Sequence, residues 1–329
     1  MNPNLPPETP FLAGSERNWR TFLARSGLLL ALVLLFLILS LTAPNFLTAR
    51  NMLNVLRQIS FIGMIACGMT LALIAGDVDL SVGSVVALSS SLLAVLHVKL
   101  GLPLWTACLL TIAEATAVGL LAGWIRVRWN IPALIVTLAL MLSLRGAAFV
   151  LTNAYPIPVT DPAFAFWGGG HILEVPVPVW IFLGTVAFFW FLSTRTVYGR
   201  SVYAIGGNAE AARLSGIAVG RIRASLLGIT AFLSAVSGVL LTSRLTSGYA
   251  GVGVGWEFDA ISAALIGGTS LFGGEGNIHG TVLGVLFVGL LGNGMVLLGV
   301  NPYVQDVIRG GIILLAVLLS TVQKPKGSQ

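Results

Sequence analysis

Charge is what this sequence has least of. Asp, Glu, Lys and Arg make up 9% of its 329 residues, against about a quarter in ordinary globular chains. So few ionic groups cannot clothe a water-soluble surface of this size. With 56% apolar residues and 39 glycines, the composition is that of a polytopic membrane protein. Cysteine is almost absent as well: Cys67 and Cys108 are the two, both inside apolar runs. That excludes a disulfide framework and points to buried thiols. Lysine occurs only at positions 99, 324 and 326, so no phosphate-cradling loop of the Gly-Lys-Ser/Thr type can be assembled. The histidines, His97, His171 and His279, lack metal-ligand spacing. No HExxH, no GxSxG and no paired carboxylates on one helix are present. Catalytic residues, metal ligands and cofactors are therefore expected to be none, and the chain is not expected to be an enzyme. The net charge of +6, from 18 basic and 12 acidic residues, sits in short connecting segments. It reflects membrane topology and not nucleic-acid binding.

The apolar sequence is cut by Gly and Pro into about ten runs. In order they are 26–43, 53–75, 82–98, 104–125, 131–152, 179–193, 224–243, 258–271, 280–299 and 303–321. The run at 258–271 is short. The first run ends at Thr42-Ala43-Pro44 without a small-x-small cleavage site, so it is read as a retained span. Basic residues orient the set. Arg17, Arg20 and Arg25 put the N-terminal tail inside the cell, Arg126 and Arg128 mark an inner turn, and Lys324 and Lys326 mark an inner C-terminus. Residues 153–178 carry five prolines and no Lys or Arg, which suits an outer loop, and the Gly-rich stretch 248–257 reads as a further outer connection. Arg50, Arg57 and Lys99 would fall outside, within the tolerance of a statistical bias. The expected fold is an all-α polytopic helix bundle with broken helices. It divides into a cytoplasmic tail at 1–25, one transmembrane domain at 26–321 and a cytoplasmic tail at 322–329. Two groups of five spans would have opposite orientations, as in an inverted repeat. Asp79-Leu80-Ser81 and 259–262 each follow a Gly-containing break, a weak echo between the halves.

Five of the eighteen basic residues lie in the stretch 194–223: Arg195, Arg200, Arg213, Arg221 and Arg223. Its centre reads as a very short capped helix. Asn208 is the N-cap, Glu210 lies in the first turn, Arg213 in the last, and Gly216 ends it. Glu210 and Arg213 are spaced to pair. A helix of roughly two turns is unstable alone, so a partner docking from the cytoplasm would hold it. The plainer reading is an inner loop made basic by topology.

Four further features stand out. Glu114 and Arg145 fall deep within consecutive spans, where ionisable groups usually face a cavity or the bundle interior; they could pair, or line a polar path for solute. The break at 76–83 contains Asp77, Asp79 and Ser81, which could cap the following span or form a hinge or cavity wall. The break at 267–276, with Gly273, Gly274 and Glu275, invites the same readings. Asp306 and Arg309 are expected to pair. Gly119/Gly123 and Gly280/Gly284 have the spacing of close helix packing.

Several stretches resemble a known family. GDVDLSVGS at 76–84, YAIGGNAEAARLSGI at 203–217, RLTSG at 244–248 and LIGGTSLFGGEGNIHGT at 265–281 are similar to the permease subunit of bacterial ATP-binding cassette (ABC) importers for monosaccharides, the ribose/xylose/arabinose group. Asn45-Phe46-Leu47-Thr48 and Leu144-Arg145-Gly146 also fit, and the similarity runs from about Pro44 onward. The resemblance implies an inner-membrane, multi-pass permease that moves a sugar by alternating access. Two permease copies, a cytoplasmic ABC ATPase and a periplasmic sugar-binding protein would complete it. It also implies that Gly206, Gly207, Asn208, Glu210, Arg213, Leu214, Ser215 and Gly216 form the loop that sits against the ATPase. Glu114 departs from the apolar residue expected there in ribose-type relatives, so no role carries over to it. Permeases for branched-chain amino acids share the plan, which leaves the solute open. An ion-coupled secondary transporter using Glu114 or Asp77/Asp79 is the alternative of a different class.

Overall fold

In the computed structural model, residues 13–322 are described, with side chains over 27–315, 317 and 318. The Lys324 and Lys326 signal and the outer part of the N-terminal tail lie outside the described residues. The chain is a helical bundle: α1 (Ala13–Thr42), α2 (Ala49–Ile74), α3 (Val82–Ala94, continued by a π-helical turn over Val95–Lys99), α4 (Leu104–Arg128), α5 (Ala133–Thr152), α6 (Pro162–Gly169), α7 (Val177–Arg195), α8 (Val197–Gly207), α9 (Ala209–Leu214), α10 (Val219–Leu245), α11 (Trp256–Ile266), α12 (Ile278–Leu297) and α13 (Pro302–Val322). Among the described residues, seven helices are long and apolar enough to cross a bilayer: α2, α3 with its π turn, α4, α5, α7, α10 and α12. The apolar part of α1, Gly27–Thr42, is shorter.

Small residues let the helices approach. Lipid tails are as apolar as leucine, so helices associate through close van der Waals contact and not through expulsion of water. A methyl on Gly119 would come within 2.5 Å of the Leu227 carbonyl and Ala231, and one on Gly123 within 2.5 Å of Ala224. These two glycines seat α4 directly on α10. Gly280 and Gly284 do the same for α12, against Gly267 and Ala263. Both GxxxG pairs therefore mark close packing within the chain. Polar groups add clasps. Asn51 of α2 and Asn293 of α12 exchange amide hydrogen bonds of 3.0 and 2.9 Å.

Two long helices pass through the centre, α2 and α10. Each is followed by a non-helical stretch and then by another helix: α2 by residues 75–81 and α3, α10 by residues 246–255 and α11. The packing is crosswise, with α10 on α3 and α4, and α2 on α11 and α12. With 11 residues, α11 spans about 16 Å, roughly half a bilayer core. The sequence places 248–257 in an outer connection, and that needs correcting. Ser247–Gly248 does pair antiparallel with Ile157–Pro158 of the 153–178 loop. The chain then turns inward, so that Ala250 is fully buried and Glu257 is 6% exposed.

The two ends of the bundle are distinct. At one, Arg57 of α2 donates to the Gly169 carbonyl at 3.3 Å and Lys99 donates to the Leu151 carbonyl at 3.1 Å. This is the end of the 153–178 loop, which is not featureless. It contains α6, whose cap Asp161 accepts from the Phe164 amide at 3.1 Å, and a second short antiparallel pair, His171–Ile172 with Val175–Pro176. At the other end lie Arg126, Arg223, α8 and α9.

Candidate functional site

The basic stretch 194–223 is more structured than its sequence suggests. Between α7 and α10 it forms two helices, and α8 was not foreseen. Thr196 caps α8 by accepting from the Gly199 amide at 3.1 Å. Val202 and Ile205 turn inward and are buried, while Tyr198 shares a 2.7 Å hydrogen bond with Ser225 of α10. The short helix α9 forms as expected. Asn208 accepts from the Ala211 amide at 2.9 Å, and Arg213 grips Glu210 through Nε at 3.0 Å and Nη2 at 2.6 Å. That pair holds the Glu210 carboxyl below its ordinary value. Ser215 donates to the Ala211 carbonyl at 2.9 Å, and Gly216, at φ +83°, closes the helix in the left-handed conformation. Only Ala212 of α9 is buried. Leu214 is 75% exposed, so α9 presents an apolar tip flanked by an ion pair.

Behind α9, the glycines converge. Gly206, near the end of α8, lies against the last turn of α2 and against the loop 267–277. A methyl on it would fall 1.7 Å from the Ile74 carbonyl oxygen and 2.4 Å from the Gly274 amide. The Gly274 amide itself donates to the Ile74 carbonyl at 2.8 Å. Gly76, Gly273 and Gly274 have φ values of +80°, +88° and +80°, which side chains would oppose. Tyr203 donates from its hydroxyl to the Gly276 carbonyl at 2.7 Å. Gly207, by contrast, faces open space. The two breaks read separately from the sequence thus touch each other and the loop.

The carboxylates of residues 75–81 point away from that contact. Asp77, 2% exposed, takes a charged hydrogen bond from Arg126 at the end of α4 and lies 3.9 Å from Arg223 of α10. Arg126 is therefore more than a marker of topology. Asp79, also 2% exposed, accepts from the Ser81 amide at 2.8 Å and the Ser81 hydroxyl at 2.6 Å, and from Thr230 halfway along α10. Ser81 occupies the N-cap position of α3 but makes no side-chain cap bond; Asp79 binds it instead.

Glu114 and Arg145 do not form an ion pair among the described residues. Arg145 donates from Nη1 to the carbonyls of Ala250 and Val252 at 3.0 and 2.5 Å, bracing the inward-turning stretch. It also attracts the Glu257 carboxylate. Glu257 begins α11 and sits against the first turn of α3, where a methyl on Gly83 would fall 2.2 Å from its Oε2. Glu114 is half-buried, with Oε2 enclosed and without a hydrogen-bond partner. Asp306 and Arg309 do pair, at 3.4 Å, and Arg309 also reaches Asp259 at 3.5 Å. Sequence reasoning did not single out Tyr203, Thr230 or Glu257, which the structure brings into these contacts. Tyr203 stood inside a motif already singled out; the other two carried no signal of their own.

Compared with known proteins, residues 51–317 match the family described as branched-chain amino acid transport system / permease component. The chain belongs to this permease family. The probable ABC transporter permease protein YphD of Escherichia coli (strain K12) is 44% identical over 97% of each chain. The ribose import permease protein RbsC of Bacillus subtilis (strain 168) is 41% identical over 89% of this permease and 91% of the relative. The L-arabinose ABC transporter permease protein AraH of Azospirillum brasilense is 40% identical over 91% and 88%. The motif resemblance to the ribose/arabinose group is borne out by these relatives. No solved structure matches the permease.

Proposed function

We propose that this permease is the membrane subunit of an ABC importer that carries a monosaccharide across the bacterial inner membrane. One observation carries the proposal: near-full-length identity of 40–41% to permeases named for ribose and L-arabinose import. The scarcity of charge fits a neutral solute, which is recognised by hydrogen bonds and stacking. ATP is hydrolysed on a partner ATPase, and a periplasmic sugar-binding protein delivers the solute. The α9 tip, with Leu214 exposed beside Glu210 and Arg213, supports an ATPase seat there.

In this reading the chain crosses the bilayer ten times, through α1, α2, α3, α4, α5, α7, α10, the 249–255 stretch with α11, α12 and α13. Both tails, 1–25 and 322–329, face the cytoplasm, and residues 26–321 form one transmembrane domain. An inverted repeat is supported by the crosswise packing of α10 on α3 and of α2 on α11. A second permease copy completes the solute path. The hollow among α2, α11, α12 and α13 is about 40 Å³, room for a water and not for a sugar. The larger groove between α7 and α10 is lined mainly by Ile181, Phe188, Phe189 and Phe232, which offer a sugar few hydrogen bonds. Asp77, Asp79, Ser81, Gly273 and Gly274 serve as hinge elements, and Glu114 and Arg145 belong to the wall of the path.

The test is reconstitution with the cognate ATPase and binding protein in proteoliposomes. ATP-dependent uptake of a pentose or hexose is expected. Uptake of leucine instead, or sugar uptake that ignores ATP, would overturn the proposal.

A further inference from the structure

We infer that the glycine contact of α8 with Ile74 and Gly274 is the joint through which movement of the ATPase-facing loop drives α3 and α11 together. This rests on the reading of α9 as the ATPase seat and names what that seat would move. Three segments meet at the joint: the end of α2, the loop 267–277, and α8. They touch through backbone. Gly206 has no room for a methyl, with Ile74 O at 1.7 Å and Gly274 N at 2.4 Å from where it would stand. Backbone against backbone has no rotamers to absorb a displacement, whereas a layer of side chains would. A shift of α8 therefore passes undiminished into both neighbours.

Each neighbour leads to a helix. From Ile74 the chain enters residues 75–81 and then α3, and Asp77 and Asp79 tie this stretch to Arg126, Arg223 and Thr230. From Gly274 the loop leads back to the C-terminus of α11 at Ile266 and forward to α12, which Asn277 caps by accepting from the Gly280 amide at 2.6 Å. The two routes rejoin. The first turns of α3 and α11 lie against one another, with Gly83 beneath Glu257 and within 2.3 Å, for a built methyl, of the Gly253 carbonyl. The contacts form a closed ring, α8 to α3 to α11 and back to α8. In a closed ring the two helices cannot be moved independently from the loop. Tyr203 is the side-chain positioning residue of the joint, since its hydroxyl holds the Gly276 carbonyl at 2.7 Å.

The test measures sugar moved per ATP hydrolysed in proteoliposomes holding permease, ATPase and binding protein, with assembly checked by co-purification. Gly206→Ala, whose added methyl meets Ile74 and Gly274 and not the exposed α9 tip, is expected to keep the ATPase bound and hydrolysing while sugar per ATP falls roughly tenfold. Tyr203→Phe, which removes one hydroxyl, should lower the same ratio by roughly threefold and carries the test if Gly206→Ala fails to insert. Gly184→Ala on α7, where a methyl meets open space, should leave the ratio unchanged. If Tyr203→Phe, and any Gly206→Ala protein that inserts, keeps the wild-type ratio, the joint is refuted while the transport reading stands. If the wild-type permease neither binds the ATPase nor takes up sugar on ATP, the transport reading itself is refuted.

Discussion

The two stretches that interrupt the helical ladder, 75–81 and 246–255, are held by opposite chemistries. The first carries its own acids. Asp77 and Asp79 reach outward and are met by Arg126, Arg223 and Thr230 from α4 and α10. The second offers bare carbonyls, those of Ala250 and Val252, and is braced by a base from elsewhere, Arg145 of α5. The requirement behind both is the same. Backbone that leaves a helix at membrane depth survives only where protein satisfies it. Asp79 serves the Ser81 amide and Arg145 the Ala250 and Val252 carbonyls, so part of the bundle's scarce interior charge is used on that task.

The contrast can be broken from either side. Arg126→Ala leaves Asp77 buried with only the more distant Arg223, and an uncompensated buried charge costs about 3–5 kcal/mol. Thermal unfolding in detergent should show it as the largest loss. Adding Asp77→Asn removes the stranded charge and should restore most of the stability. At the second stretch, Arg145→Ala strands the carbonyl of fully buried Ala250 at about 1–3 kcal/mol and that of half-buried Val252 at less. Here Glu257→Gln should restore only the share lost by the buried carboxylate that Arg145 attracts, because the carbonyls stay unpaired. Equal rescue in both double variants would erase the distinction. A smaller effect is expected for Thr230→Val, which takes one donor from Asp79 and should cost about 1 kcal/mol, read by the same melt.

The smallest effect belongs to the exposed pair on α9. Both partners are about two-thirds exposed, and such pairs add little stability. Glu210 titrates below its ordinary value because Arg213 holds it. Its contribution is therefore complete above the ordinary glutamate value of about 4.3, and fades only as pH falls through the lower folded value. Melting of the wild type and of Glu210→Gln should run parallel between about pH 8 and about pH 5. A divergence there would contradict the assignment.

Much of this was legible in the sequence, because spans announce themselves by apolar length and turns by Gly, Pro and Arg. The cap at Asn208, the Glu210–Arg213 pair, the Asp306–Arg309 pair and the GxxxG contacts are local, and local spacing revealed them. What stayed hidden was non-local or carried by backbone. Arg145 meets carbonyls, and a carbonyl leaves no trace in a residue's identity. The stretch 249–255 reads as an outer loop because glycine contributes no hydrophobic signal, although it is drawn into the bundle. Arg126 was visible as charge but not as the partner of Asp77, which lies far away in sequence.

Sidedness tests the central claim most directly, namely that the α8–α9 elbow faces the compartment where ATP is hydrolysed. Leu214 is 75% exposed at one end of the bundle and Leu173 is 83% exposed at the other, while the native cysteines are buried. Leu214→Cys and Leu173→Cys should be labelled by a membrane-impermeant maleimide in complementary preparations. The account predicts labelling of Leu214→Cys only in inside-out vesicles and of Leu173→Cys only in intact spheroplasts. Labelling of Leu214→Cys from outside intact spheroplasts would contradict it.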